Sequence, residues 1–462
     1  MTTAAVASQP SAVERMGERV AVNVQKWLPD PYLFAILLTF LAFVMGLVFA
    51  GQTPAQMVRH WYGGFWQLLT FAMQMALILI TGYVLAQHPA IHRILRTIAG
   101  WPKTGGQAIV LVALVGLIFA WVNWGFGLVL GAVMAREVAI ECERRGIPVH
   151  YPVLCTAGYS GLGVTWHWGL SGSATLLSAT PKHAFESLIG VVPTSVTIFS
   201  GYALIMTVLS LIYVPIIMYL IAPKSADRCR GISHWDPEAM VRSDAKAEAA
   251  RGDGSIAESI NNSRIIGGLI SIMALVFLVF HFVLDRKGLD LNIVIFVFLT
   301  LGLVLYLRPA RYLQAFGEAT PAAAGVLLQF PFYAGIMGMI SLSGLGVIMA
   351  GWLINVATPG TFPVLAWLAS GLVNIFVPSG GGEWAVLGET ILRAGKELGV
   401  PAGKTIIAFA TGDAWTNLFQ PFWAIALLGI TRMTARDMFG YCIMLLVALV
   451  PFFGILLWLL PY

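Results

Sequence analysis

Long apolar runs recur along the whole chain, with short polar turns between them. Most of them reach about 20 residues, which is the length that an α-helix needs to cross a hydrocarbon core roughly 30 Å thick. The pattern therefore predicts an all-α polytopic membrane protein and disfavours a soluble protein with a large core. The apolar segments cover residues 31–50, 62–87, 106–141, 152–181, 188–222, 264–284, 290–307, 321–354, 362–395, 403–431 and 437–460.

Composition supports this prediction. Of the 462 residues, 58% are hydrophobic and 11% are charged, whereas a soluble domain carries roughly 25% charged residues. In a membrane protein, the net charge of +5 indicates basic loops on the cytoplasmic side and not nucleic-acid binding. The four cysteines lack the spacing of a metal site or a disulfide framework. We therefore expect no cofactor and no bound metal apart from a coupling ion.

The composition changes from apolar to polar between residues 223 and 263, and this stretch divides the chain into two halves. This stretch is polar, charged and rich in small residues, so we expect a solvated cytoplasmic linker. It separates a first transmembrane repeat, 31–222, from a second repeat with one additional helix, 264–462. The preceding segment, 1–30, is expected to lie in the cytoplasm or on the membrane surface.

The two halves carry similar interruptions in the same order. AWVNWGFG (120–127) and SGLVNIFVPSGGG (370–382) each precede a helix that ends in a Gly-Ile-Pro or Gly-Val-Pro turn. A second broken segment follows each turn, AGYSGLGVTWHWGLSGSATLL (157–177) and ATGDAWTNLFQPFWAIALL (410–428). Repeats with interruptions at matching positions are typical of secondary transporters. The sequence thus predicts two repeats, each with a re-entrant hairpin and a discontinuous transmembrane helix.

The positions of basic residues predict that the repeats are inverted. If the N-terminus and the central linker are cytoplasmic, most lysines and arginines fall inside, as the positive-inside rule requires. The hairpins 106–141 and 362–395 then enter from opposite faces of the membrane. Several basic residues remain outside in this topology: Arg59, Lys182, Arg286, Lys287, Arg393, Lys396 and Lys404.

Irregular backbone at membrane depth survives only where it is buried in protein or lines a wet cavity. We therefore expect four interruptions to cluster, namely Asn123–Gly127, Gly158–His167, Pro378–Glu383 and Thr411–Pro421. The N-termini of half-helices suit a carboxylate, and their C-terminal ends suit a cation.

The substrate-binding candidates follow from this reasoning. Bare glycine amides at the second hairpin allow a ligand to approach closely, although glycine also serves close helix packing. When the two broken segments are aligned, His167 faces Gln420. A buried histidine is usually a structural hydrogen bonder, but this match makes a binding role for His167 a second interpretation. The predicted substrate-binding residues are Ser379, Gly380, Gly381, Gly382, His167 and Gln420.

The coupling candidates are polar groups within apolar runs. Asp413 is an ionisable residue at membrane depth, which suggests a coordinated cation or a carried proton; the alternative is a carboxylate satisfied by backbone N–H groups at a half-helix start. Glu383 is either a proton carrier or a cap. His88 and His92 lack a third ligand, so no metal site is expected there. The predicted coupling residues are Asp413, Asn417, Thr416, Asn123, Ser160 and Glu383.

FVPSGGGEWAV (376–386), followed by TGD (411–413), resembles the short-chain fatty acid transporter family. The family is grouped with the ion transporter superfamily, so the resemblance implies inverted repeats with two re-entrant hairpins. It also implies uptake of acetoacetate and short fatty acids in bacteria. The family's motif continues as A-V-Q-G-P, whereas Leu387 and Glu389 stand here in place of the Gln and the Pro. A Gln near the tip could contact the ligand.

The sequence thus predicts a secondary active transporter for short-chain fatty acids or related small monocarboxylates, coupled to H⁺ or Na⁺ in a bacterial inner membrane. A dicarboxylate transporter or a cation/proton antiporter of the same superfamily stays as the alternative. A membrane enzyme with Ser379 as nucleophile is disfavoured, because no base stands at a catalytic spacing. The expected partners are a monocarboxylate and the lipid bilayer, with no nucleic acid, and a homodimer is left open.

Overall fold

A computed structural model describes residues 31–223, 225–240, 255–375 and 377–462, and these residues form helices and turns without any strand. The predicted interfacial segment 1–30 lies outside the described residues. The first half contains helices α1 (Pro31–Val48), α2 (Pro54–Phe65), α3 (Leu69–Ala86), α4 (Pro89–Ala99), α5 (Gly105–Val122), α6 (Trp124–Arg144), α7 (Tyr151–Gly163), α8 (Ser173–Ala179) and α9 (Gly201–Ile221).

The second half contains helices α10 (Arg264–Val279), α11 (Leu291–Tyr306), α12 (Pro309–Ala319), α13 (Ala324–Leu342), α14 (Leu345–Val356), α15 (Phe362–Asn374), α16 (Gly380–Glu397), α17 (Ala402–Thr416), α18 (Pro421–Thr431) and α19 (Ala435–Leu459). Two short helices, Glu186–Ile189 and Ile256–Asn261, a π-helical turn at Phe280–Leu284 and several 3₁₀ turns complete the described chain.

Six helical stretches of the described chain are long and apolar enough to cross a membrane by length and composition. This supports the predicted multi-pass, all-α membrane protein. Two predicted apolar segments are each divided into two helices. The first break separates α2 from α3. The second falls at Gly344, whose φ of +78° is a left-handed conformation that favours glycine and ends α13.

The helices form an inner and an outer layer. Every residue of α7 and α8 is buried, whereas α10 is mostly exposed and buries only Gly267, Ser271 and Ala274. Glycines let the inner helices approach closely, as is typical of helix packing in lipid. A Cβ added to Gly158 would lie closer than 3.0 Å to the backbone of Gly131 on α6. The broken segments therefore lie at the centre of the protein.

Most of the described part of the central linker is exposed or half-buried, but a few of its residues are buried against the protein. Between residues 226 and 240 it forms three short 3₁₀ turns, and Ile232, Asp236 and Ala239 are buried. Asp236 accepts hydrogen bonds from Arg136 of α6 at 2.9 Å and from Arg432, just after α18, at 3.0 Å. The Tyr151 amide also donates to the Arg230 carbonyl at 2.9 Å. The linker therefore connects α6 of the first half to the end of α18 in the second half.

We predict that Asp236→Asn destabilises the protein. Asp236 is 1% exposed and balances two arginines, so the substitution leaves both guanidinium groups without a counter-charge. The expected cost is about 2–3 kcal/mol, measured as a lower unfolding temperature in detergent. Asp285→Asn is the control, because its pair with Lys287 is about half exposed on the surface and contributes little. Equal unfolding temperatures for the two variants would contradict the prediction.

Candidate functional site

Two helical hairpins turn at polar residues that cap the following helix. Asn123 alone separates α5 from α6, and its Oδ1 accepts a hydrogen bond from the Phe126 amide at 2.9 Å. Ser379 precedes α16, and its Oγ accepts from the Gly382 amide at 3.3 Å. Each cap satisfies one of the free amides at a helix start. The predicted interruptions Asn123–Gly127 and Pro378–Glu383 are therefore short turns, and most of their residues already belong to the following helix.

Both predicted helix breaks occur, but in each case the preceding helix continues past the start of the predicted interruption. Helix α7 continues to Gly163 before a 3₁₀ turn at Trp166–Trp168. Helix α17 continues to Thr416 before a 3₁₀ turn at Asn417–Phe419. Asp413 consequently lies in the last turn of α17. The alternative in which amides at a half-helix start satisfy this carboxylate is therefore wrong.

The four interruptions contact one another, as predicted. The Tyr159 hydroxyl of α7 donates to the Asn417 carbonyl at 2.9 Å, which joins the two breaks. The Trp124 amide donates to the Ser171 Oγ at 2.9 Å, which joins the first hairpin to the first break. Gln420 donates to the Ile375 carbonyl at 2.8 Å, which joins the second break to the second hairpin.

Asn374, which the sequence reasoning did not select, organises the second half of the site. Its Nδ2 lies 2.7 Å from the Asp413 carbonyl oxygen and 2.9 Å from both Thr416 Oγ1 and Asn417 Oδ1. Two of the six predicted coupling residues, Thr416 and Asn417, thus present their side-chain oxygens to an amide donor. The repeated Val-Asn pair, which places Asn123 opposite Asn374, was the signal that could have identified this residue.

A cluster of polar side chains lies fully buried beside the second hairpin. Glu383 Oε1 accepts a hydrogen bond from Ser370 Oγ at 2.6 Å. Asp413 Oδ2 lies 2.7 Å from His167 Nδ1, and His167 Nε2 accepts from the Ala174 amide at 3.1 Å. Both carboxyl groups and the imidazole are 0% exposed. Because Nε2 acts as an acceptor, the neutral imidazole carries its proton on Nδ1 and donates it to Asp413.

The two acids of this cluster lie next to each other. The carboxyl group of Glu383 interacts directly with that of Asp413. Glu383 Oε2 and Asp413 Oδ1 are buried and find no hydrogen-bond partner in the described part of the chain. Among the ion pairs of the described residues, neither acid pairs with a lysine or an arginine.

A cavity adjoins this cluster at the start of α16. Its walls are mainly aromatic and aliphatic, with a few hydroxyl, amide and backbone groups among them. The indole N–H of Trp166 is buried and has no partner among the described residues. The cavity is lined by Met75, Trp124, Leu162, Trp166, Ser173, Val326, Phe330, Ser379, Gly380, Gly381, Asn417 and Trp423.

The glycines at the start of α16 face aromatic rings. A Cβ on Gly380 would lie 2.5 Å from the Trp166 ring and 2.8 Å from the His167 ring. One on Gly381 would meet Phe71, 2.5 Å away. Close packing therefore explains the missing side chains. The amides of Gly380 and Gly381 lie in the first helical turn, where no intrahelical acceptor exists.

The structure places the predicted residues in three groups. Those that line the cavity are Ser379, Gly380, Gly381 and Asn417. Those that are buried but do not line it are His167, Gly382, Glu383, Asp413, Thr416 and Gln420. Those that bond elsewhere are Asn123, which caps α6, and Ser160, whose hydroxyl donates to the Ala157 carbonyl of its own helix at 2.7 Å.

The fold resembles that of two solved transporters. The chain matches the YdaH transporter of Alcanivorax borkumensis, with a TM-score of 0.56, 15% sequence identity, and coverage of 92% of this chain and 98% of that one. It also matches MtrF of Neisseria gonorrhoeae, described as an antimetabolite efflux pump, with a TM-score of 0.58, 16% identity, and coverage of 95% and 97%.

Two curated bacterial proteins are similar in sequence, and both are named as candidate short-chain fatty acid transporters. The one from Escherichia coli K12 is 41% identical over 91% of this chain and 93% of its own length. The one from Haemophilus influenzae is 38% identical over 96% and 98%. These relatives are transporters and not enzymes. The profile of the short chain fatty acid transporter family matches residues 12–460, and the chain therefore belongs to this family.

Proposed function

We propose that the protein is a secondary active transporter for short-chain fatty acids or related small monocarboxylates. The observation that carries this proposal is one cavity that combines apolar walls with the start of α16 and lies directly against a buried acidic cluster. The names of the sequence relatives support the substrate class.

The carboxylate of the substrate binds at the start of α16. The amides of Gly380 and Gly381 have no intrahelical acceptor, and the helix dipole makes this end positive. Trp166 supplies an independent donor, because it lines the same cavity and its indole N–H lacks a partner among the described residues. Two kinds of unpaired donor beside one cavity are what a small anion requires.

The walls of the cavity favour a short monoanion. Trp124, Phe330 and Leu162 offer apolar surface for an acyl tail. A second carboxylate would require a further cationic partner, and no lysine or arginine is among the cavity-lining residues of the described chain. A monocarboxylate is therefore favoured over the alternative dicarboxylate.

Two inverted repeats supply alternating access in this proposal. The hairpins that turn at Asn123 and Ser379 are re-entrant and approach each other from opposite faces of a bacterial inner membrane, with the N-terminus and linker in the cytoplasm. The matched caps, the matched breaks and their mutual hydrogen bonds support this architecture. A fixed central site between two repeats is the arrangement that rocking motions require.

The first prediction of this proposal is accumulation of a short monocarboxylate. We expect proteoliposomes with the purified protein to concentrate labelled butyrate or acetoacetate under an H⁺ or Na⁺ gradient, because an ion-coupled carrier performs uphill transport. Unlabelled short fatty acids are expected to compete with the label, and succinate is not. Protein-free liposomes correct for passive diffusion of the protonated acid. Absence of accumulation under both gradients would exclude the proposal, and competition by succinate would favour the dicarboxylate.

The second prediction tests the indole donor. Trp166→Phe keeps the aromatic wall but removes the N–H, so the KM for butyrate should rise about tenfold, the equivalent of about 1.4 kcal/mol for one hydrogen bond to an anion. Trp121→Phe is the matched control. Its indole N–H is also buried and unpaired within the described chain, but Trp121 does not line the cavity. An unchanged KM in Trp166→Phe would remove Trp166 from the binding site.

A further inference from the structure

We infer that the coupling ion is a proton and that Glu383 and Asp413 share it. This inference rests on the proposed transport function and deepens it, because the alternatives so far were H⁺ and Na⁺. The observation behind it is a pair of neighbouring acids, each with one satisfied oxygen and one oxygen without a donor.

A single proton can supply the hydrogen-bond donor that these two oxygens lack. Ser370 satisfies Oε1 of Glu383, and His167 satisfies Oδ2 of Asp413. The remaining atoms, Glu383 Oε2 and Asp413 Oδ1, belong to carboxyl groups that interact directly. We place the shared proton between these two carboxyl groups, where one O–H···O bond would supply the donor that both oxygens lack. Two ionised carboxylates would instead place like charges side by side at zero exposure, which is costly.

The hydrogen-bond partners indicate which acid carries the proton. Asp413 receives the Nδ1–H of His167, whose Nε2 is already engaged by the Ala174 amide. This imidazole stabilises a carboxylate at Asp413. Glu383 has only the Ser370 hydroxyl, which can donate either to Glu383 or to the Phe409 carbonyl, 2.8 Å away. Glu383 is therefore the protonated member and Asp413 the acceptor.

The oxygens near Asp413 offer a poor site for Na⁺. A sodium site needs several oxygen atoms free to turn toward the ion. The Asp413 carbonyl oxygen, Thr416 Oγ1 and Asn417 Oδ1 all lie within 2.9 Å of the Asn374 amide nitrogen.

The proton site is linked electrostatically to the cavity. Glu383 lies in the first turns of α16, and the His167 ring packs against Gly380, which lines the cavity. With the proton bound, the pair of Glu383 and Asp413 carries one negative charge, and without the proton it carries two. A substrate carboxylate at the start of α16 is repelled less by the protonated pair. Anion and proton therefore strengthen each other's binding, and this linkage is reciprocal.

The test measures binding and proton uptake in purified protein. At a pH high enough to deprotonate the pair in the free wild-type protein, butyrate binding in a weakly buffered solution should take up about one proton, reported by a pH-sensitive dye. In the same pH range the affinity should fall about tenfold per pH unit. Na⁺ should not change the affinity.

Glu383→Gln is the decisive variant, because its amide can donate to Asp413 and imitate the protonated acid. We expect butyrate binding and exchange of labelled for unlabelled butyrate to persist, with pH-independent affinity and without proton uptake or gradient-driven accumulation. Glu389→Gln, on the same helix but bonded to Arg393 and Ser341, is the control and should retain proton uptake.

The outcomes separate this inference from the proposed function. Proton uptake that persists in Glu383→Gln would mean that the neutral acid binds, and Na⁺-dependent binding without proton uptake would assign coupling to sodium; either result overturns the inference and leaves transport intact. Failure of wild type to bind or accumulate short acids would overturn the function itself. If Glu383→Gln does not fold, Asp413→Asn removes the other half of the pair and is expected to abolish proton uptake as well.

Discussion

The hydrogen bond between His167 and Asp413 is the contact on which the site depends. At membrane depth no bulk water is present to solvate a carboxylate, so the protein must provide its donors. His167 comes from the break after α7 and Asp413 from the last turn of α17, and their 2.7 Å contact joins the two halves of the chain. Every neighbouring interruption is placed around this contact.

The same constraint explains why the interruptions are rich in amides and hydroxyls. Each break frees carbonyl and amide groups that would be costly to leave unpaired. Asn374 engages the end of α17, and Gln420 donates to the carbonyl of Ile375 at the second hairpin. The Tyr159 hydroxyl donates to the Asn417 carbonyl and so pairs a freed backbone carbonyl between the two breaks. These side chains fix the irregular backbone, and the fixed backbone in turn holds the amides of Gly380 and Gly381 beside the cavity.

The sequence revealed the type and the order of the elements better than their ends. The repeated interruptions predicted two hairpins and two broken helices, because proline, glycine and polar residues are costly within apolar runs. It could not predict that α17 continues to Thr416, since the bonds near that end involve Asn374, which is distant in sequence. It also missed Asp236, because burial of a linker aspartate depends on Arg136 and Arg432 from separate helices. Spacing alone does not encode such long-range pairs.

The two departures from the family motif lie outside the cavity. Leu387 is buried in α16 and does not line the cavity, and Glu389 bonds to Arg393 and to Ser341. Both positions lie at least one turn beyond Gly381, the last residue of α16 that reaches the cavity. These two residues can therefore reach the cavity only through the packing of α16 against α13. Phe330 both lines the cavity and contacts this helix, so under the proposed function it bears more directly on the length of an accepted acyl tail.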